Sequence, residues 1–306
     1  MDQCSAADIE TGETTIFVRS CGSGPPLLLL HGFPQTHLMW RRVAPLLAAN
    51  FFVVCADLRG YGRSGCPSAG PDHAAYAKRA MARDMIAVME RLGHRQFAVG
   101  GHDRGGRVAY RMAVDYPERV NRLAVLDILP IEIAWQHADG RFALAYWPWS
   151  LLAQPEPLPE EILCRNAEAI IDNALSEWGS AAAAFPDQVR AAYTAALRDP
   201  AHAHAICEEY RAAATVDRDD DKVDRQSSRK ICCPILVLWA ARGPLDAWYR
   251  DQGGPLTLWR AWGDEVDGRP LEGGHFFPET SPAATAAALM QFLRTTPGEA
   301  GSIDRC

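Results

Sequence analysis

Gly101-His102-Asp103-Arg104-Gly105-Gly106 is the stretch that decides how this chain is read. A strand-like run, Gln96 to Gly100, leads into it, and a helix-like stretch, Gly105 to Tyr116, follows. The pattern is strand, sharp turn, helix, with a glycine on each side of a central reactive residue. Aspartate stands where serine is usual. Glycines suit the turn because a side chain there would strike the adjoining strand and helix, and the central residue is thereby pushed into a site. The competing account is an ordinary Gly-rich turn with Asp103 as a helix cap; the partners found elsewhere in the chain weigh against it.

Working outward, short apolar runs alternate with helical patterns. Thr15 to Arg19, Pro26 to His31, Phe51 to Ala56, Leu123 to Asp127 and Ile235 to Ala240 read as further strands. Leu27–Leu30, Phe51–Val54 and Ile235–Trp239 are nearly continuous apolar runs, the mark of strands covered on both faces of a parallel sheet. Met39 to Ala49, Tyr76 to Leu92 and Pro282 to Leu293 read as helices. The alternation predicts an α/β fold with a mostly parallel, doubly wound sheet. It stops after Asp127: from about Ile131 to Arg229 the patterns are helical only. The expected organisation is a core over 11–130, a helical cap over 131–229 and the rest of the core over 230–296. The cap would lie over the strands' C-terminal edge, where open α/β sheets bind ligands. Residues 1–10 and 297–306 read as loose tails.

Composition narrows the function classes. The chain has 306 residues, 48% of them hydrophobic, enough for a large core. Net charge is −7, and no basic cluster marks a nucleic-acid surface. No apolar run reaches the length of a membrane span. Met1 to Glu10 lacks an apolar signal core, so a cytoplasmic location is the expectation. The nine cysteines are an odd number without C-x-x-C or metal-ligand spacing, and reduced, buried thiols are expected. No metal or organic cofactor is implied.

The change from Ser to Asp at position 103 alters the chemistry. A carboxylate attacking an acyl carbon yields an anhydride, a poor route to ester hydrolysis. Attack on an sp3 carbon yields an alkyl ester and expels a leaving group, and water then cleaves that ester. Asp103 therefore points to carbon–halogen or epoxide substrates. The second step needs a base. His275, in Gly273-Gly274-His275-Phe276-Phe277 before the final helix, stands where the chain order nucleophile, acid, histidine puts one. Two acids could orient it: Asp127, ending the strand Leu123–Leu126, and Asp246, after the strand Ile235–Ala240. The backbone N–H groups of Phe33, in His31-Gly-Phe-Pro-Gln35, and of Arg104 are the expected oxyanion hole. Arg104 and Arg107, three apart at the positive end of the helix, could clamp a substrate carboxylate. A small anionic molecule is the expected partner.

These residues resemble the fluoroacetate/haloacetate dehalogenases of the α/β-hydrolase superfamily over nearly the whole chain. The resemblance rests on His31–Trp40, Asp57-Leu-Arg-Gly-Tyr-Gly-Arg-Ser64, Gly101-His-Asp-Arg-Gly-Gly-Arg107, Leu126-Asp-Ile-Leu-Pro130, Leu152-Ala-Gln-Pro155 and Cys207-Glu-Glu-Tyr-Arg-Ala212. The first three recur in related hydrolases, epoxide hydrolases included. By the resemblance, Asp103 is the nucleophile, His275 the base, Asp127 its acid partner, and Arg104 and Arg107 hold the substrate carboxylate. A homodimer is likewise implied. The family's halide pocket takes a His-Trp pair and a tyrosine from the cap. Trp149 matches the tryptophan and Tyr210 is the best match for the tyrosine. Pro148 stands where the histidine is expected and has no donor. Losing one donor of three costs about 1.5–3 kcal/mol, roughly 10- to 100-fold in rate. Fluoride needs such help most, so chloroacetate or bromoacetate is the expected substrate ahead of fluoroacetate.

Two other functions fit parts of the sequence. An epoxide hydrolase shares the nucleophile and base and uses cap tyrosines, for which Tyr146, Tyr193 and Tyr210 are available. A non-catalytic carboxylate sensor would need neither Asp103 nor His275.

Overall fold

The structure, a computed structural model, describes residues 4–180 and 182–294. Its eight strands are β1 (Ser5–Glu10), β2 (Thr15–Cys21), β3 (Pro26–Leu30), β4 (Phe52–Ala56), β5 (Phe97–His102), β6 (Val120–Leu126), β7 (Ile235–Ala240) and β8 (Val266–Leu271). They form one sheet in the order β1-β2-β4-β3-β5-β6-β7-β8. β1 with β2 and β2 with β4 are antiparallel; every later pairing is parallel. The chain leaves β3 to one side for β4 and then crosses to the other side for β5. The loops after β3 and β5 therefore diverge at the switch point, where such sheets open a crevice.

Residues alternate between the two faces of the sheet. Leu28, Leu30, Val54 and Val99 pack with α2 (Lys78–Arg91) and α3 (Arg104–Asp115). Leu27, Leu29, Val53 and Cys55 pack with α1 (Ala44–Leu47) and α15 (Pro282–Arg294) on the other face. β7 is buried at all six positions, as its unbroken apolar run predicts.

Between β6 and β7 the described residues contain helices only. These are α4 (Ile131–Gln136), α5 (Gly140–Ala145), α6 (Trp147–Leu151), α7 (Leu158–Arg165), α8 (Ala167–Glu177), α9 (Asp187–Arg198), α10 (Pro200–Ala214) and α11 (Val216–Gln226). We refer to this layer as the cap. After β7 come α12 (Pro244–Trp248), α13 (Gly254–Arg260) and α14 (Phe277–Thr280).

Four expectations need correction. Ser5–Glu10 is not a tail but the edge strand β1, paired residue for residue with β2. Its register sets Ser5 against Ser20, so Cys4 and Cys21 face each other one step further out, their Cα atoms 4.5 Å apart, and form a disulfide. Cys232 is also disulfide-bonded, so the reduced-thiol reading holds only for Cys55, Cys66, Cys164, Cys207 and Cys233 among the described residues. The helix expected over Met39 to Ala49 is instead a 3₁₀ segment, His37–Arg42, followed by the four-residue α1. Pro45 has no N–H to bond back across the junction. β8, unforeseen, is a polar edge strand carrying Pro270, which edge positions tolerate. The predicted tail at 297–306 lies outside the described residues.

Candidate active site

Asp103 ends the strand-to-helix turn at φ 47° and ψ −116°, a strained conformation for a residue with a side chain. Gly105 makes the turn possible: a Cβ there would sit 2.3 Å from the carbonyl oxygen of His31. On the other side, a Cβ on Gly32 would lie 2.4 Å from that of Asp103, so the loop after β3 can come close enough to donate. It does so through the backbone N–H of Phe33, 3.0 Å from Asp103 Oδ1. Arg107 Nη1 donates to Oδ2 at 3.3 Å. Burial by itself would raise the pKa of this carboxyl. Arg107 above all, then His275 and Arg104, outweigh burial and bring it to about 2. Asp103 is therefore a buried, ionised carboxylate.

His275 lies on the loop after β8, and its Nδ1 donates to Asp127 Oδ2 at 2.7 Å, leaving Nε2 open. Asp127, itself at φ 54°, is fixed by the Ala240 N–H, 2.9 Å from its other oxygen. Of the two acids that the residues alone left open, the structure pairs His275 with Asp127, the one the family resemblance implied. Asp246 instead accepts from Trp239 Nε1 at 3.1 Å and lies 3.4 Å from Arg250. Two further contacts hold the His275 loop. Its backbone N–H donates to the carbonyl of Trp178 in the cap at 2.9 Å. Its carbonyl accepts from His102 Nε2 at 2.8 Å, with the two rings 4.5 Å apart. Burial, followed by His275, drops His102 to a pKa of about 3, so it stays neutral.

The two arginines diverge. Arg104 turns its Nε and Nη2 to Glu209 of α10, at 2.6–2.8 Å, and keeps only Nη1 without a partner among the described residues. Its guanidinium also lies over the Tyr210 ring at 4.1 Å. Arg107 has one bond to Asp103, a buried and unpartnered Nε, and the Trp149 ring 4.6 Å away.

A cavity of about 640 Å³ opens above Asp103, Asp127 and His275. Tyr146, Pro148, Trp149 and Tyr210 of the cap form part of its wall, and Arg242 and Pro244 part of its rim. The site thus gathers the residues read from the sequence, with Arg104 largely committed to the cap. Glu209 was not singled out, although it sits in the quoted Cys207–Ala212 run; nothing local marks it as the partner of Arg104. Trp178 was missed too, because a backbone carbonyl leaves no signature. Away from the cavity, Glu156, Glu160 and His204 come together on the cap, with Arg211 Nη2 2.7 Å from Glu160 neutralising one of the acids.

Residues 25–279 match the family model for the α/β hydrolase fold. The chain is 43% identical to a fluoroacetate dehalogenase from Burkholderia sp, over 93% of this chain and 92% of that one. It is 29% identical to a soluble epoxide hydrolase from Corynebacterium sp. (strain C12), over 90% and 92% respectively. A solved structure of a protein assigned to the α/β hydrolases, from Nostoc sp PCC 7120, superposes with a TM-score of 0.92 at 45% identity, covering 96% of this chain and 99% of that one.

Proposed function

We infer, for a chain that belongs to the haloacetate dehalogenase family of the α/β-hydrolase superfamily, that it removes halide from a small 2-haloacid by way of an ester on Asp103. The observation that carries this is the surroundings of Asp103: an ionised carboxylate at a strained turn, held by Phe33 and Arg107 within one cavity that also takes in His275 and Asp127.

In the first step an Asp103 oxygen attacks the halogen-bearing carbon from the rear, and the C–X electron pair leaves with the halide. Arg107, helped by the free Nη1 of Arg104, holds the substrate carboxylate. Trp149 and Tyr210 donate to the departing halide. In the second step Nε2 of His275 takes a proton from water while Asp127 steadies the imidazolium, and the resulting hydroxide attacks the Asp103 ester carbonyl. The N–H groups of Phe33 and Arg104 receive the tetrahedral oxyanion. Its collapse breaks the ester C–O bond, the departing alkoxide takes the proton back from His275 to give the hydroxy acid, and the Asp103 carboxyl loses its proton to solvent. Pro148 removes one donor from the halide's surroundings, so bromide and chloride are favoured over fluoride as leaving groups. A homodimer, as the resemblance implies, belongs to the same proposal.

The test is halide release from bromoacetate, chloroacetate and fluoroacetate by the purified protein and its Asp103→Asn variant. We expect bromide and chloride release, reduced in the variant on the order of 10⁴-fold. No halide from any of the three overturns the reading. Epoxide opening is the second reading. It is favoured by the hydroxyls of Tyr146 and Tyr210, both on the cavity wall, and diol formation from small epoxides without halide release would select it.

A further inference from the structure

Position 148 contributes no donor to the cavity wall, yet the wall holds more donors than the pair of Trp149 and Tyr210. Tyr146, two residues earlier, lines the same cavity as Asp103 and His275. Tyr146, Trp149 and Tyr210 all line this cavity, and no hydrogen bond joins the two hydroxyls or the indole N–H to another described residue. Polar hydrogens held beside a reactive carboxylate without a protein acceptor are poised for a ligand.

The Tyr146 ring is fixed. It stacks on Phe142 at 5.2 Å and meets the edge of Trp248 at 5.5 Å. Phe142 also packs against Trp149 at 5.6 Å, so the two donors stand on one aromatic platform. The hydroxyl lies in the field of Asp127, Arg107 and Asp103, and burial foremost raises its pKa, which keeps the proton on the oxygen. At neutral pH the hydroxyl therefore keeps its proton and can donate. Tyr193, the other cap tyrosine raised by the sequence, points elsewhere: its hydroxyl bonds Glu279 at 2.9 Å.

We propose that Tyr146 determines leaving-group specificity, its hydroxyl donating to the departing halide from a wall to which Pro148 supplies nothing. The inference rests on the dehalogenase reading. As the Asp103–carbon bond forms and the carbon–halogen bond breaks, the electron pair leaves with the halide. The phenol hydrogen-bonds that charge and keeps its own proton. Because the need for donation grows with the basicity of the leaving group, the contribution of Tyr146 grows from bromide to chloride to fluoride.

The test is single-turnover halide release by Tyr146→Phe, which keeps the ring and its packing. We expect a loss of about threefold or less with bromoacetate and about 10-fold or more with chloroacetate. The ratio of the two is a readout that a merely structural role would not move. An equal loss on both substrates, or none, overturns the proposal. Chloride titration of the resting protein, followed by tryptophan fluorescence, provides a check independent of turnover. Tyr146→Phe is expected to bind chloride about 10-fold more weakly, and unchanged binding overturns the proposal. Wild-type protein that releases no halide from either substrate overturns the dehalogenase reading itself, an outcome distinct from both.

Discussion

The cap meets the core along two seams of opposite character. On one, α10 and α11 lie on α2 and α3 through buried ion pairs. Glu209 takes Arg104 and Lys78, Asp217 takes Lys78 at 3.2 Å, and Asp224 takes Arg111 at 2.5 Å. Asp221 accepts from Tyr110 at 2.8 Å. On the other seam, α5, α6 and Tyr146 between them face the reactive loops across the cavity with aromatic rings and with donors that bond no other described residue. Arg104 and Arg107 are three residues apart in one motif, yet they belong to different seams. The difference shows what a charge near a site can be used for. Arg104 meets a fixed acid, so most of its donors are satisfied before any ligand arrives. Arg107 keeps capacity in hand, and the same charge depresses the pKa of Asp103.

The comparison is tested hardest at Glu209. Glu209→Ala leaves Arg104 buried with no counter-ion and Lys78 with Asp217 alone. Removing one partner of a buried pair costs about 3–5 kcal/mol, which urea unfolding followed by circular dichroism would register as an earlier midpoint. The substrate KM of the folded fraction should change far less. An unaltered midpoint with a sharply raised KM would mean that the Arg104–Glu209 pair serves the ligand and not the fold, and the two seams would no longer be distinct.

A smaller effect is expected at Arg107. Arg107→Met removes a charged donor from the substrate carboxylate, a loss of about 1.5–3 kcal/mol, or roughly 10- to 100-fold in kcat/KM. Stability should hardly fall, because the variant also takes an incompletely paired guanidinium out of the interior. A large stability loss with unchanged kinetics would move Arg107 to the structural seam.

The sequence carried the second seam better than the first. Gly101–Gly106 foretold the elbow because only glycine permits approaches such as that of Gly105 to His31, and a steric demand of that kind leaves its mark in the residue type. The continuous apolar runs marked β3, β4 and β7 for the same reason: they are covered on both faces. β1 and β8 stayed hidden because an exposed edge strand has little to bury and no pattern to show it, and with β1 went the Cys4–Cys21 pairing. The choice of Asp127 over Asp246 was left open by position alone, since both loops leave the same edge of the sheet; the family resemblance favoured Asp127, and the 2.7 Å contact with His275 is the geometry that separates them. The ion pairs of α10 and α11 were illegible because their partners are 105 to 139 residues apart in the chain, and no local pattern links Glu209 to Arg104 or Asp217 to Lys78.

The smallest expected effect is an absence of change, and it isolates the charge that Arg107 places on the cavity seam. In the proposed mechanism, ester formation requires only that Asp103 be ionised, whereas ester hydrolysis requires His275 unprotonated. With the Asp103 pKa held at about 2, the first burst of bromide from bromoacetate should stay flat, within about twofold, when pH is jumped from ~7 down to about 4. In Arg107→Met the leading cause of the depression is gone and burial pushes the other way, so the pKa rises and the burst amplitude must fade at higher pH than in the wild type. A wild-type burst that already fades across this range would show that Arg107 does not hold Asp103 ionised. Arg107 would then act on Asp103 no more strongly than Arg104 does.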